Sequence, residues 1–526
     1  MLHIDPETCI DCGACADECP VDAIQLDDDL AEDQRAYLDL NAQYYEALPM
    51  TCTSAVDNPK PWRTDDFSDL RVAVVGSGPA GFYAAKDLQT LRVAQVEVFD
   101  RLLTPYGLAR FGVAPDHQAT KGVTAMFQSL GKKKNLHVNL GIDVGQHISH
   151  AELLEHHDAV IYAVGASLDR QLGIEGEDLV GSHAANEFVA WYNGHPEYAN
   201  HQFDLSGERA VIIGNGNVAL DIARMLLANT DHLEKTDMAQ HALDALQNSN
   251  IREVVVVGRR GPAQAAYTNP EILALLSHEG IDVIIDQTEA ATDDITQTIL
   301  DDRRTESSVR AKVRSAQEAA TRIASGARKR LVLRYLHSPV KFDGREGRLD
   351  SVTLVRNRLE LLEDGTVVAV RTSTTEEMKA NIVFRSVGYR GSSVSDVPFD
   401  DHQGIIPNLD GKVIDPHTGE PLPGVYVTGW IKRGPTGVIG TNKQCAGQTV
   451  DQLLQDHLRG DLTAPIHPAG SVRTLIAERC PDAIGFDEWG RVDTAEQAAG
   501  AALSRPRVKF VDTESILVAA RGLHDR

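Results

Sequence analysis

Short, wholly apolar runs rich in β-branched residues punctuate this chain, and several are closed by glycine. Val72–Val75, Ala210–Ile213 and Val254–Val257 are of this kind, as are the central parts of Asp158–Ala166 and Gly424–Trp430. A strand with no polar alternation is buried on both faces, which is the habit of parallel sheets. Further strands are expected at Val96–Phe99, Ile281–Ile285, Leu331–Leu336 and Asn381–Gly391. Between them the period lengthens to that of a helix, at Leu220–Leu227 and Gly440–Leu458, with a short amphipathic piece at Val472–Arg479. Asp301–Arg330, rich in Arg, Glu and Ala, reads as a solvated helix. Strands alternating with helices predict an α/β chain.

Two strand ends carry chemistry. Behind Val75 stands Gly76-Ser-Gly78-Pro-Ala80-Gly81, leading into a helix. Gly76 permits the tight turn, Gly78 lets a pyrophosphate approach the backbone, and Gly81 lets helix pack on strand. The helix start supplies free N–H groups and the positive end of its dipole. The next strand ends at Asp100, placed to accept adenosine ribose hydroxyls. Behind Ile213 the pattern returns as Gly214-Asn215-Gly216-Asn217-Val218-Ala219, and there the following strand ends in Gly258-Arg259-Arg260. An acid at that place would select NAD, whereas paired guanidiniums suit the 2′-phosphate of NADP. The fold expected is two Rossmann-like dinucleotide-binding domains, one of them for NADP.

The N-terminus is different in kind. Four of the seven cysteines fall in Cys9-x-x-Cys12-x-x-Cys15-x-x-x-Cys19-Pro20. That is the bacterial ferredoxin run for a [4Fe–4S] cluster. A zinc knuckle is the competing reading, but zinc favours two separated pairs. In two-cluster ferredoxins the fourth cysteine ligates the other cluster, and this chain holds no second run. Either these four cysteines close a single cluster, or Cys52 supplies a ligand, or Met1 is an internal start. Leu2–Ile4 and Val21–Ile24 are the expected flanking strands of this small α+β, ferredoxin-like module, and Pro49, Pro59 and Pro61 mark a linker after it.

A chain of 526 residues exceeds one ordinary core. The segments expected are 1–46 for the iron–sulfur module, 47–69 for the linker, 70–165 and 386–463 for a split FAD-binding domain, 166–385 for the NADP-binding domain, and 464–526 for an extension of unassigned role. The formal charge is −25, and residues 1–70 carry seventeen acids against Arg35, Lys60 and Arg63. Such a field suits an electron carrier that meets basic surfaces and argues against nucleic acid as a partner. No membrane-length apolar run or signal segment is visible, so no membrane partner is expected and the cytoplasm is the default.

Two loops complete the pattern. Leu103–His117 is dense in glycine and proline and follows the first ribose-binding strand, as a wall for a flavin would; His117 at its end is a candidate proton relay or a structural hydrogen-bonding group. At Gly434–Ile439 a helix begins with its Gly437, Val438 and Ile439 N–H groups free, suited to negative charge developing on a reduced flavin.

Together these residues resemble the adrenodoxin-reductase type of ferredoxin–NADP⁺ reductase with a bacterial ferredoxin fused at its N-terminus. The likeness rests on Gly76–Gly81, Tyr106–His117, Gly214–Ala219, Gly258–Pro262 and Gly429–Gly440, and spans Arg71 to about Leu458. It implies FAD contacts at Ala80, Asp100, Leu108, Val144, Trp430 and Gly437–Ile439. It implies NADP contacts at Arg170, Asn215–Val218, Arg259, Arg260, Glu271 and Gly437. Asp100 stands where the family commonly has Glu, and Glu271-Ile-Leu-Ala274 lacks an acid that family members often carry. The implied activity passes electrons from NADPH through FAD to the cluster and on, singly, to a ferredoxin or another iron–sulfur or haem acceptor. Two other readings are an electron-input subunit resembling the glutamate synthase small subunit and an NADPH-binding redox sensor without turnover. A thioredoxin-reductase role is disfavoured, because the NADP unit has no Cys-x-x-Cys.

Overall fold

The computed structural model describes residues 4, 24, 30, 34–47, 65–302, 305–437 and 439–522. The chain divides into two compact units, Met1–Asp66 and Phe67–Arg526. In the first the described part is centred on the helix Ala36–Ala47. Cys9, Cys12, Cys15, Cys19 and Cys52 lie outside the described residues, as do most of the expected linker and Val438.

The second unit contains two large sheets. The first runs in the order 408–409, 412–414, 421–427, 159–162, 71–75, 95–100, 136–140 and 484–485. Its five central strands are mutually parallel, and the short strands at either end are antiparallel. Val72, Ala73 and Val74 are fully buried, as a strand covered on both faces requires. The second sheet, in the order 182–184, 382–385, 209–213, 253–257, 329–334 and 281–285, is parallel throughout. The chain crosses between the sheets twice, and Leu168–Asp169 and Tyr389–Arg390 pair there as an antiparallel ribbon.

One face of the second sheet is covered by helices, Ala185–Tyr192 and Asn217–Leu227 among them. The other face is covered by a feature the hydrophobic pattern does not announce, an antiparallel sheet of His337–Arg345, Arg348–Leu361 and Val367–Lys379. Phe342, Leu349, Val352 and Leu354 from this sheet pack on Val211, Ile213, Val255 and Val257. The charged stretch 301–330 also departs from expectation. Its helix, Ser307–Thr321, buries Val313, Ala316 and Ala319, so one face belongs to the core.

Residues 464–526 form the helices Ser471–Arg479, Phe486–Ala501 and Thr513–Arg521. Ile484–Gly485 adds an edge to the first sheet beside Leu136–Leu140. Trp489 is fully buried, with its ring set edge-on to Tyr106 at 6.0 Å and Arg110 lying over it at 5.1 Å. Glu496 takes both ends of the Arg110 guanidinium, at 2.6 and 3.0 Å. The C-terminal segment thus braces the loop that follows the strand Gln95–Asp100.

Candidate functional site at the junction of the two sheets

At the first glycine loop, each residue behaves as its geometry demands. Gly76 has φ +107°, where a side chain is strained, and a Cβ there would lie 2.5 Å from Ala163 O. A Cβ on Gly81 would lie 2.0 Å from Gly76 O, so helix and strand meet only because both positions are glycine. Gly78 precedes the helix Pro79–Thr90, with nothing within 4 Å of where its Cβ would stand. The space on that side of Gly78 is open. Asp100 turns toward this loop: Oδ2 accepts Ser77 N at 2.8 Å and Ser77 Oγ at 2.5 Å, while Oδ1 accepts Leu102 N at 3.0 Å. Burial raises its carboxyl above the ordinary range, and those bonds pull it part-way back. The shorter acid therefore ties the loop to the strand end, leaving spare lone pairs rather than a free carboxylate. Leu108 is 43% exposed at the start of the turn Leu108–Phe111, and Val144 is buried.

A second loop closes over the first. A Cβ on Gly429 would meet Ala80 Cβ at 2.7 Å, so the two backbones touch. Trp430 stacks on Tyr389, with ring centroids 5.9 Å apart and planes at 17°. Thr436 O accepts two donors from this loop, Trp430 Nε1 at 3.1 Å and Arg433 Nη2 at 3.0 Å. Arg433 Nη2 also reaches Asn442 Oδ1 at 3.1 Å, whereas its Nε and Nη1 are buried with no acceptor among the described residues. An anionic or carbonyl-bearing group is what such donors lack. Gly437 has φ +79°, and Ile439 opens the helix Ile439–Arg459.

The second glycine loop repeats the first. Gly214 has φ +114°, and a Cβ there would lie 2.0 Å from Ser386 O. Gly216 precedes the helix Asn217–Leu227. Asn215 packs against Gly258, Asn217 Oδ1 accepts Thr268 N at 2.8 Å, and Val218 packs partly buried on the core. Arg259 is exposed and Arg260 half-buried, and neither is in an ion pair among the described residues. Burial, then the charge of Arg259, lowers the pKa of Arg260, so an anion beside them would be welcome. Arg170 lies at the crossing ribbon, with Nε 3.3 Å from Tyr389 O.

His117 and Glu271 come together in a cluster that the sequence does not assemble. Arg224 is its centre. Its Nε and Nη2 hold Asp116 at 2.5 and 3.1 Å, Nη2 reaches Asp221 at 2.7 Å and His117 Nε2 at 2.9 Å, and Nη1 reaches Glu271 at 3.1 Å. Glu271 Oε1 lies 3.8 Å from His117 Nδ1. Burial pushes the Asp221 carboxyl up to about 6, against the pull of Arg224. Burial acts on Asp116 in the same sense, but its bonds and charge contact with Arg224 prevail and lower it. Ligand-type atoms of His117, Asp221 and Glu271 lie within 4.8 Å of one another. Arg224 bonds all three, so their charge is compensated by a guanidinium rather than arranged for a metal. The one sequence signal for this cluster is Asp221 three residues before Arg224, on the helix after a glycine loop.

A cavity of about 250 Å³ lies elsewhere, lined by Arg110, Lys121, Asp237, Asp493 and Arg507 among others. Those charges are already paired within the protein, Lys121 with Asp237, Arg507 with Asp493, and Arg110 with Glu496.

Comparison with known proteins agrees with this geometry. Residues 70–327 match the pyridine nucleotide-disulphide oxidoreductase family, and residues 2–25 match the 4Fe-4S binding domain. A protein of Mycobacterium bovis named "Probable ferredoxin/ferredoxin--NADP reductase" is 44% identical over 99% of this chain and 88% of its own length. The mitochondrial NADPH:adrenodoxin oxidoreductase of Arabidopsis thaliana is 38% identical over 86% of this chain and 95% of its own. The solved structure of Mycobacterium tuberculosis FprA in complex with NADPH superposes with a TM-score of 0.80 at 42% identity, covering 86% of this chain and all of that one. The chain belongs to the ferredoxin–NADP reductase family, in the form that carries an N-terminal 4Fe-4S binding module.

Proposed function

We propose that the protein oxidises NADPH and delivers electrons one at a time, through FAD and its own iron–sulfur module, to a ferredoxin or another one-electron iron–sulfur or haem acceptor. The reading rests above all on one observation: the first glycine loop touches Gly429 through Ala80, the second touches Ser386 through Gly214, and the segments they touch meet where Tyr389 stacks on Trp430. The residues fit the groups. Gly76, Gly78, Ala80 and Gly81 would hold the FAD diphosphate, with Asp100 toward the ribose and Leu108, Val144, Trp430, Gly437, Val438 and Ile439 around the remainder. The two buried donors of Arg433 without acceptors suit an anionic part of that cofactor. Arg170, Asn215, Gly216, Asn217, Val218, Arg259, Arg260, Glu271 and Gly437 would hold NADP. Cys9, Cys12, Cys15 and Cys19 offer the thiolates that a [4Fe–4S] cluster requires.

Bound FAD supplies the exchange between a two-electron hydride and single electrons. The protein's residues position and shield. The N–H groups at the starts of Pro79–Thr90 and Asn217–Leu227 would meet phosphate charge, while Trp430 and Tyr389 would close the junction to water. We place the protein in the cytoplasm; no described helix is long and apolar enough to cross a membrane.

The test is anaerobic mixing of the purified, FAD- and iron-reconstituted protein with NADPH, followed by iron and sulfide analysis and low-temperature EPR. Bleaching of the flavin, a reduced-cluster signal and onward reduction of a ferredoxin are expected. Protein that stays colourless after reconstitution, or a flavin that NADPH leaves oxidised, would overturn the reading.

A further inference from the structure

We propose that Arg224 is a positioning residue that holds the second nucleotide unit in register with the first and dictates which nitrogen of His117 carries the proton. Asp116 and His117 belong to the loop of the first sheet, whereas Asp221 and Glu271 belong to the helices Asn217–Leu227 and Asn269–Leu276 of the second. One guanidinium, on a residue 8% exposed in the helix Asn217–Leu227, bonds all four, Asp116 and His117 across the seam and Asp221 and Glu271 on its own side.

A guanidinium carries donors and no acceptor. His117 Nε2 must therefore face Nη2 as an acceptor, which leaves the proton of the neutral ring on Nδ1, toward Glu271 at 3.8 Å. The tautomer with its hydrogen on Nε2 could not accept from Arg224. Charge points the same way. Asp116, Asp221 and Glu271 converge on a single cation, so without it three carboxylates would oppose one another across the seam. The seam would shift but not part, because Lys121–Asp237 and Arg101–Glu197 also span it. The helix that carries Asp221 and Arg224 follows the second glycine loop, whose Gly214 lies against Ser386, three residues before Tyr389, the ring stacked on Trp430. A change in register there would move the two nucleotide sites relative to each other.

The proposal rests on the reductase reading, and its test separates the two. Full-length, cofactor-loaded protein would be prepared as wild type, Arg224→Met, Arg224→Lys, His117→Gln and His117→Leu. Flavin reduction by NADPH would be followed in single turnover, and backbone hydrogen exchange over residues 113–122 and 269–276. Arg224→Met should slow flavin reduction by about 30-fold or more, since small misplacements of reacting groups are costly. The KM for NADPH should rise by less than the rate falls, because Arg224 is not itself an NADP contact and only its partner Glu271 is. Exchange should rise in both segments, and Arg224→Lys, which keeps the charge but loses the fork, should fall between. The amide oxygen introduced by His117→Gln can accept from Arg224 Nη2, whereas His117→Leu offers no acceptor. The first should therefore retain about tenfold more of the rate than the second.

Wild-type protein that NADPH does not reduce would defeat the reductase reading itself. A wild type that is reduced, with Arg224→Met equally fast and equally protected from exchange, would overturn this proposal alone. Equal loss in His117→Gln and His117→Leu would overturn the assignment of Nε2 as acceptor. Should Arg224→Met fail to fold, Arg224→Lys and the two His117 variants decide the matter.

Discussion

Arg259 and Arg260 stand together at the end of the strand Glu253–Val257, with no carboxylate to neutralise either among the described residues. Two adjacent guanidiniums kept apart from acids repel one another unless a dianion completes them. Replacing both with alanine should raise the KM for NADPH by about 10- to 100-fold and leave that for NADH within about threefold, measured by steady-state kinetics on both nucleotides. Equal effects would show that the pair does not read the 2′-phosphate. The placement of these two residues is legible in the sequence, because a basic pair just past a strand end is a local pattern. Gly76 and Gly81 are legible for a similar reason, since a turn or a close approach tolerates little else. Arg224 is not. It lies on the helix Asn217–Leu227 among apolar residues, and its partner Asp116 is 108 positions away in sequence. A charge acquires its role there only when the two halves meet.

At the scale of elements, the parallel strands are plain in the sequence and their coverings are not. The strands are apolar on both faces, so they stand out from any background. The sheet 337–379 is buried on one face only, and its charged outer positions, such as Arg358 and Glu360, disguise the alternation. The C-terminal helices are hidden by a different circumstance, because what they brace lies near residue 106. Trp489 is their anchor. Trp489→Ala should destabilise the protein by about 3–5 kcal/mol, seen as a lower urea midpoint, because a large buried ring leaves a cavity that the backbone cannot fill. It should also loosen the loop around Tyr106, whose hydroxyl accepts the Trp489 Nε1–H at 3.4 Å. Unchanged stability would mean that the C-terminal helices are held elsewhere.

For the whole molecule, acid is the condition to which stability should respond first. His157 is 1% exposed and donates Nδ1–H to Leu153 O, and His195 accepts the Glu197 N–H at Nδ1. Burial pulls each down to about 4. In the unfolded chain both would take up a proton near 6.5, while the folded chain resists until about 4. The contribution of each is therefore complete above about pH 6.5 and is lost as the pH falls toward 4, up to about 3 kcal/mol apiece. Denaturant midpoints measured at about pH 7, 6, 5 and 4.5 should decline over that window, and His157→Gln should flatten the decline. A midpoint independent of pH across it would show that these rings are not held neutral.

The ribbon of Leu168–Asp169 with Tyr389–Arg390 places both chain crossings side by side. Tyr389 lies in this ribbon with its ring against Trp430, so a rotation of one half against the other would alter the surroundings of the indole. Fluorescence from Trp430 would therefore report a change in the angle between the two halves.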